Sequence, residues 1–113
     1  MRLVVMASPY AGDIEGNLEY ARLCLRDSLL RGEAPIAGHL LYTQTGVLDD
    51  HNISERAHGM AAGHEWIRAA DVLIVYTDKG ISTGMYEDIE IARQEGVEVV
   101  FRKLEPINET DQS

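Results

Sequence analysis

Asp71 to Ala92 constrains the fold more than any other stretch of the chain. Val72 to Thr77 is a short apolar run without polar alternation, the pattern of a strand buried on both faces. It runs into a loop carrying Gly80, Ser82, Thr83 and Gly84, and then into a helical pattern with Met85, Ile89 and Ala92 on one side. A strand buried on both faces needs covering layers above and below it, so this segment points to an α/β layer architecture. Small residues, free amides and the acidic pair Glu87 and Asp88 then gather at the carboxyl end of a strand. Ligands bind at that end of open α/β sheets.

The rest of the chain repeats the alternation. Arg2 to Ala7 reads as a buried strand, and Ser8 to Asp13 as a loop marked by Pro9 and Gly12. Ile14, Leu18, Ala21, Leu25 and Leu29 recur at helical spacing, which predicts a helix over 14–30 stopped near Gly32. Ala34 to Ala37 reads as a short strand, His39 to Gln44 as an ambiguous stretch that can hold a turn of helix, and Thr45 to Ile53 as a polar loop. Asn52, with Glu55 three residues on, fits a helix start. Ala57, Met60, Ala61, His64 and Ile67 then predict one face of a helix ending near Ala69. Thr83 to Glu95 is a further helix, and Val97 to Arg102 the last strand.

The element order β-α-β-α-β-α-β implies a Rossmann- or flavodoxin-like α/β three-layer sandwich with a four-stranded, mainly parallel sheet. Right-handed crossovers make strand order 2-1-3-4 the natural one. The switch point then falls between the first and third strands, where the loops Ser8 to Asp13 and Asp78 to Gly84 meet.

A chain of 113 residues fits one domain, expected over 1–104, with a polar tail from Glu105 to Ser113. The start, Met1-Arg2-Leu3-Val4-Val5-Met6, runs straight into Ser8-Pro9-Tyr10, so a strand is expected there and not a secretion signal. No apolar run approaches the roughly 20 residues that span a bilayer, and no membrane partner is expected. Cys24 is the only cysteine, which excludes an intrachain disulfide and suits a reducing, cytoplasmic setting. The net charge of −9 comes with scattered basic residues, which argues against polymeric nucleic acid as a partner. A small anion remains compatible with it, because local amides can hold a phosphate in an acidic protein.

Each motif has a plain reading beside the functional one. Gly80 to Gly84 fits a cradle for a phosphate or another small anion, and equally a helix cap made by Ser82 or Thr83. It is not a P-loop, because no Gly-Lys-Ser/Thr follows. Glu87 and Asp88 fit a nucleophilic carboxylate, or simply a favourable helix dipole. Tyr10 can orient a carboxylate, stack on a base, or pack against the sheet edge. Asp13 can contact a sugar hydroxyl or cap the helix that follows. His39, His51, His58 and His64 lack metal-ligand spacing, and no metal is expected. Asp49-Asp50-His51 reads as a solvated loop or a polar lid, and Trp66 and Tyr42 as core or interface residues.

Ser8-Pro9-Tyr10, Ala70-Asp71-Val72 and Gly84-Met85 with the acidic residues after it resemble the nucleoside 2-deoxyribosyltransferase superfamily. The stretches Ala34-Pro35, His39 to Gln44, Gly46 to Asp50, Glu55-Arg56 and Gly80-Ile-Ser82 resemble a small branch of it carried by phages and bacteria. The likeness runs from about Leu3 to Leu104.

That resemblance implies a Rossmann-like fold and cleavage or transfer at the N-glycosidic bond of a (deoxy)nucleoside or its 5′-monophosphate, through a carboxylate nucleophile and a glycosyl-enzyme. It implies a homo-oligomer, a dimer or larger, and no cofactor. Ser8, Ser82 and Gly84 would hold a 5′-phosphate, Tyr10 would orient the carboxylate, and Asp78 would aid the base or a sugar hydroxyl. Counting back four residues from Ala92 places the nucleophile at Asp88. Counting forward from Asp71 places it at Glu87. The two differ by ~100° around a helix, so only one can face the pocket. The alternative from a different class is a non-catalytic protein that senses or sequesters a nucleotide in the same pocket, and the plainest is a structural subunit.

Overall fold

The computed structural model describes residues 1–104. In chain order the elements are β1 (Leu3–Ala7), α1 (Ile14–Leu30), β2 (Ala34–Ile36), α2 (Gly38–Leu41), α3 (Ile53–Ala69), β3 (Val72–Tyr76), α4 (Thr83–Gln94) and β4 (Glu98–Arg102). The sheet order is β2-β1-β3-β4, and every pairing is parallel. The expected α/β architecture and strand order are therefore the observed ones. The single-turn α2 takes up part of the stretch His39 to Gln44 that the pattern left ambiguous. The tail expected over Glu105 to Ser113 lies outside the described residues.

Alternation along the strands divides the core in two. Val4, Met6, Val72, Ile74 and Tyr76 pack against Tyr20, Ala21 and Cys24 of α1. Val5, Ala7, Leu73 and Val75 pack against Ile67 of α3 and against Met85, Ile89 and Ala92 of α4. β3 is buried along its whole length, as its unbroken apolar run requires. Each such Val, Leu or Ile contributes ~1.5–3 kcal/mol by leaving water.

Two helical faces depart from the apolar periodicity. The buried side of α1 is Asn17, Tyr20, Ala21, Cys24 and Ser28, while Leu29 is 54% exposed. Three polar residues can sit there because each has partners. Asn17 Nδ2 donates to the carbonyls of Tyr10 and Ala11 at 2.9 and 3.0 Å. Tyr20 Oη donates to Asp78 Oδ2 at 2.5 Å. Ser28 Oγ donates to Glu33 Oε1 at 2.8 Å. On α3 only Ile67 is fully buried, and Ala57 and Ala61, expected inward, are exposed. The side of α3 turned toward the sheet borders a cavity instead of core.

Polar side chains tie the α1 side together. Arg102 makes a bidentate contact with Glu33 at 2.8 and 2.9 Å and donates to Tyr76 Oη at 3.2 Å. Tyr76 Oη in turn donates to Asp27 Oδ2 at 2.7 Å. The Arg102 guanidinium holds the Glu33 carboxyl down at about 2, against the opposing effect of burial.

Candidate functional site

The carboxyl ends of β1 and β3 open into a cavity of about 300 Å³ on the α3/α4 side of the sheet. It sits at the switch point, where the chain leaves β1 and β3 toward opposite faces. Its floor is Val5 and Met6 of β1 and Ile67 of α3. One wall is the start of α4, with Ser82, Thr83, Gly84 and Asp88. Another is Tyr10 and Ala11 with His39 of α2 and Tyr42. The third is α3, with Glu55, Arg56, Gly59, Met60 and Gly63, together with Leu48 and Asp50 from the segment before it.

The start of α4 has a defined geometry. Ser82 is the N-cap, and its Oγ accepts from Met85 N at 3.3 Å, while Met85 Sδ accepts from Ser82 N at 3.3 Å. The N–H groups of Thr83 and Gly84 head the helix and have no intrahelical carbonyl to meet. Ser82 thus caps the helix, and Ser82, Thr83 and Gly84 also line the cavity. Gly80, at φ +83°, closes the preceding turn through its N–H to Thr77 O at 2.9 Å and does not line the cavity.

The two acidic neighbours part company. Asp88 lines the cavity with its side chain 25% exposed, whereas Glu87 is exposed and outside the lining. Burial pushes the Asp88 carboxyl up to about 7, helped by the negative charge of Glu87. His64 of α3 approaches from behind, with Nε2 3.5 Å from Asp88 Oδ1.

Tyr10 reaches the cavity and stacks on His39, with ring centroids 5.2 Å apart and planes 20° from parallel. Burial lowers the His39 imidazole below its ordinary range, so it faces the cavity uncharged near neutral pH. Thr43 Oγ1 donates to the His39 carbonyl and steadies the turn.

The α3 wall is held by its own cap. Asn52 Oδ1 accepts from Glu55 N at 3.1 Å, and Glu55 Oε1 accepts from Asp49 N at 3.0 Å. Arg56 Nε lies 4.0 Å from Asp50 Oδ1. Two interior glycines, Gly59 and Gly63, sit on the cavity side of this helix. Glycine inside a helix costs ~1 kcal/mol against alanine. A Cβ at Gly63 would meet nothing within 4 Å, which means it would project into open space.

Besides Gly80 and Glu87, three more of the residues expected at the site lie elsewhere. Ser8 is buried at 2% exposure and is not part of the lining. Ala7 points to the α3/α4 side, so alternation turns Ser8 away from it. Asp78 turns to the α1 side for the same reason, two residues beyond Tyr76. It accepts from Tyr20 Oη and, at 3.0 Å, from Leu104 N, and these bonds outweigh burial and hold its carboxyl below the usual range. Asp13 is the N-cap of α1, with Oδ1 accepting from Gly16 N at 3.2 Å.

His39, Arg56, Gly59 and Gly63 line the cavity without having been singled out for it. No periodicity marks them. The one available signal was a pair of glycines in a helix otherwise well supplied with helix formers. Among the described residues no three His, Cys, Asp or Glu side chains come together as a metal site needs. Among them also no helix is long and apolar enough to cross a membrane.

Comparison with known proteins gives fold neighbours. The 2-deoxyribosyltransferase of Bacillus psychrosaccharolyticus superposes with a TM-score of 0.68 at 17% identity, over 96% of this chain and 78% of that one. The 2-deoxyribosyltransferase of Leishmania mexicana gives 0.58 at 17% identity, over 100% and 73%. The CMP N-glycosidase of Clostridium botulinum gives 0.54 at 12% identity, over 90% and 69%. No curated protein matches in sequence. A family model described as a domain of unknown function (DUF7768) matches residues 2–102.

Proposed function

The chain belongs to the DUF7768 family, and we propose that it cleaves or transfers at the N-glycosidic bond of a nucleoside-type substrate, with Asp88 as nucleophile. The observation that supports this most is the placing of Asp88: a largely buried carboxylate facing a cavity of about 300 Å³ at the switch point of the sheet. The fold neighbours described above include two 2-deoxyribosyltransferases and a CMP N-glycosidase, which agrees with that chemistry.

In the proposed reaction an Asp88 carboxylate oxygen bonds to C1′ as the C1′–N bond breaks. The bonding pair leaves with the base, which takes up a proton. Water or a second base then attacks C1′ and releases the carboxylate. Tyr10 stacks on the uncharged His39, and an outer ring face of this pair is a surface on which a base can lie. In this arrangement the start of α4, with Thr83 and Gly84 in the lining, would take the sugar end.

The lining carries three carboxylates, Asp50, Glu55 and Asp88, against the single guanidinium of Arg56. That balance favours an uncharged nucleoside over its 5′-monophosphate. A second reading, a nucleotide-binding protein without chemistry, has one observation in its favour. Burial pushes the Asp88 carboxyl up to about 7, which favours the protonated form, and that form is no nucleophile.

Chromatographic detection of free base tests the proposal. The purified protein is incubated with nucleosides and 5′-monophosphates, ribo and deoxy. Release from nucleosides above release from monophosphates is expected. No release by folded protein, together with saturable binding, transfers the cavity to the binding reading.

A further inference from the structure

His64 is placed where a merely structural histidine has no reason to be. It projects from α3 between that helix and α4, and its side chain is 19% exposed. Its Nε2 has essentially no contact with solvent and lacks a hydrogen-bond partner of ordinary geometry. A sealed, unsatisfied nitrogen costs ~1–3 kcal/mol. The polar atom it is aimed at is Asp88 Oδ1, 3.5 Å away. That gap is a few tenths of an ångström beyond a normal hydrogen bond. His64 also lines a surface groove with His58, Glu65 and Arg68, so the residue lies between that groove and the cavity carboxylate.

We propose that His64 is the positioning residue for Asp88: Nε2–H donates to Oδ1, fixes the carboxylate plane, leaves Oδ2 for the cavity and favours the ionised form. The reaction invoked rests on the proposed function, but the pairing itself does not. The other charged or titratable groups around Asp88 cannot replace it. Glu87 on the same helix is a like charge. Glu55 and Arg56 of α3, Asp50 and Tyr42 of the segment before it, His39 of α2 and Tyr10 share the cavity, and none is paired with Asp88. His64 is the only ion-pair partner of Asp88 among the described residues. A hydrogen bond donated to a carboxylate stabilises the anion and lowers its pKa. Removing the donor therefore raises it, and activity that needs the anion begins at higher pH.

Carbon-13 NMR of aspartate carboxyls tests the pairing without any substrate. The Asp88 signal is assigned by its loss in Asp88→Asn. Its midpoint is then compared in the unaltered protein, His64→Ala and His64→Gln. A rise of about one pH unit or more in His64→Ala is expected, with partial return in His64→Gln, whose amide can still donate. If His64→Ala fails to fold, a smaller rise in the near-isosteric His64→Gln carries the test. Equal midpoints in every folded variant overturn the proposal.

The acid limb of kcat/KM for base release should move with the midpoint, so that His64→Ala loses about tenfold or more at pH 6 and much less at pH 8. A uniform loss at all pH values would assign His64 a packing role only. If the unaltered protein releases no base, the glycosidic reading falls, while the carboxyl midpoints still decide the pairing.

Discussion

The two faces of the sheet treat their polar residues in opposite ways. On the α1 side Asp78, Glu33, Tyr76 and Arg102 are bonded to one another or to Tyr20, Ser28 and Asp27. Glu33 and Asp78 are held below the ordinary carboxylate range, so the charged forms are the favoured ones. On the α3/α4 side Asp88 is pushed up and His39 down, both in the direction that disfavours charge. The first face has its ionisable groups matched, and matched groups hold a fold together. The second keeps a carboxylate with one distant partner beside an open cavity, an arrangement that costs stability and fits chemistry.

Asp88→Asn breaks the contrast most sharply. Base release should fall by about a thousandfold or more, since no other carboxylate in the lining shares its position. The same change should stabilise the fold. The folded carboxyl midpoint of about 7 lies above that of an unfolded aspartate. Folded protein then holds a proton that the unfolded chain has lost, and stability falls as pH rises between the two midpoints. Urea melts should show Asp88→Asn gaining on the order of 1–3 kcal/mol at pH 8 and nothing below about pH 4.

Arg102→Ala attacks the other face. It strands Glu33 in a buried site and should cost ~3–5 kcal/mol in a urea melt at pH 7, with the Asp88 midpoint unmoved. Glu33 is depressed, so its sign is the reverse of that of Asp88. Its contribution is complete above the unfolded carboxyl midpoint and disappears as pH falls toward about 2. Acid denaturation of the unaltered protein should therefore show a component in that window which Arg102→Ala lacks.

Smaller changes sharpen the comparison. Gly63→Ala should stabilise α3 by ~0.5–1 kcal/mol while weakening nucleoside binding in calorimetry, because the new methyl projects into the cavity. Glu87→Gln should leave most of the base release and change stability by less than ~0.5 kcal/mol. A loss in Glu87→Gln equal to that in Asp88→Asn would remove the distinction between the two carboxylates.

The fold was legible in the sequence because its signals are local and agree with one another. The unbroken apolar runs of β1 and β3, the caps Asp13, Asn52 and Ser82, and right-handed crossovers leave little choice of topology. The cavity lining was legible at Tyr10 after β1 and along the start of α4, where the loop from Ser82 to Gly84 and the acidic pair stand in one stretch. Ser8 and Asp78 were drawn to the cavity by the resemblance and by their place in the two switch-point loops, and strand alternation turns both to the α1 side. The α3 wall left a periodic trace only at Met60 and Ile67, because the rest of a helix face that borders empty space takes small or polar residues such as Gly59, Gly63 and Arg56. The α1 face misled for the converse reason: Asn17, Tyr20 and Ser28 are buried polar residues whose partners lie far along the chain.

The most direct measurement is the mass of the protein after rapid acid quench with a deoxynucleoside, followed by peptide mapping across α4. Asp88 as nucleophile predicts a deoxyribosyl adduct on Asp88, absent from Asp88→Asn. Base release with no adduct there, or an adduct on Glu87, would contradict it.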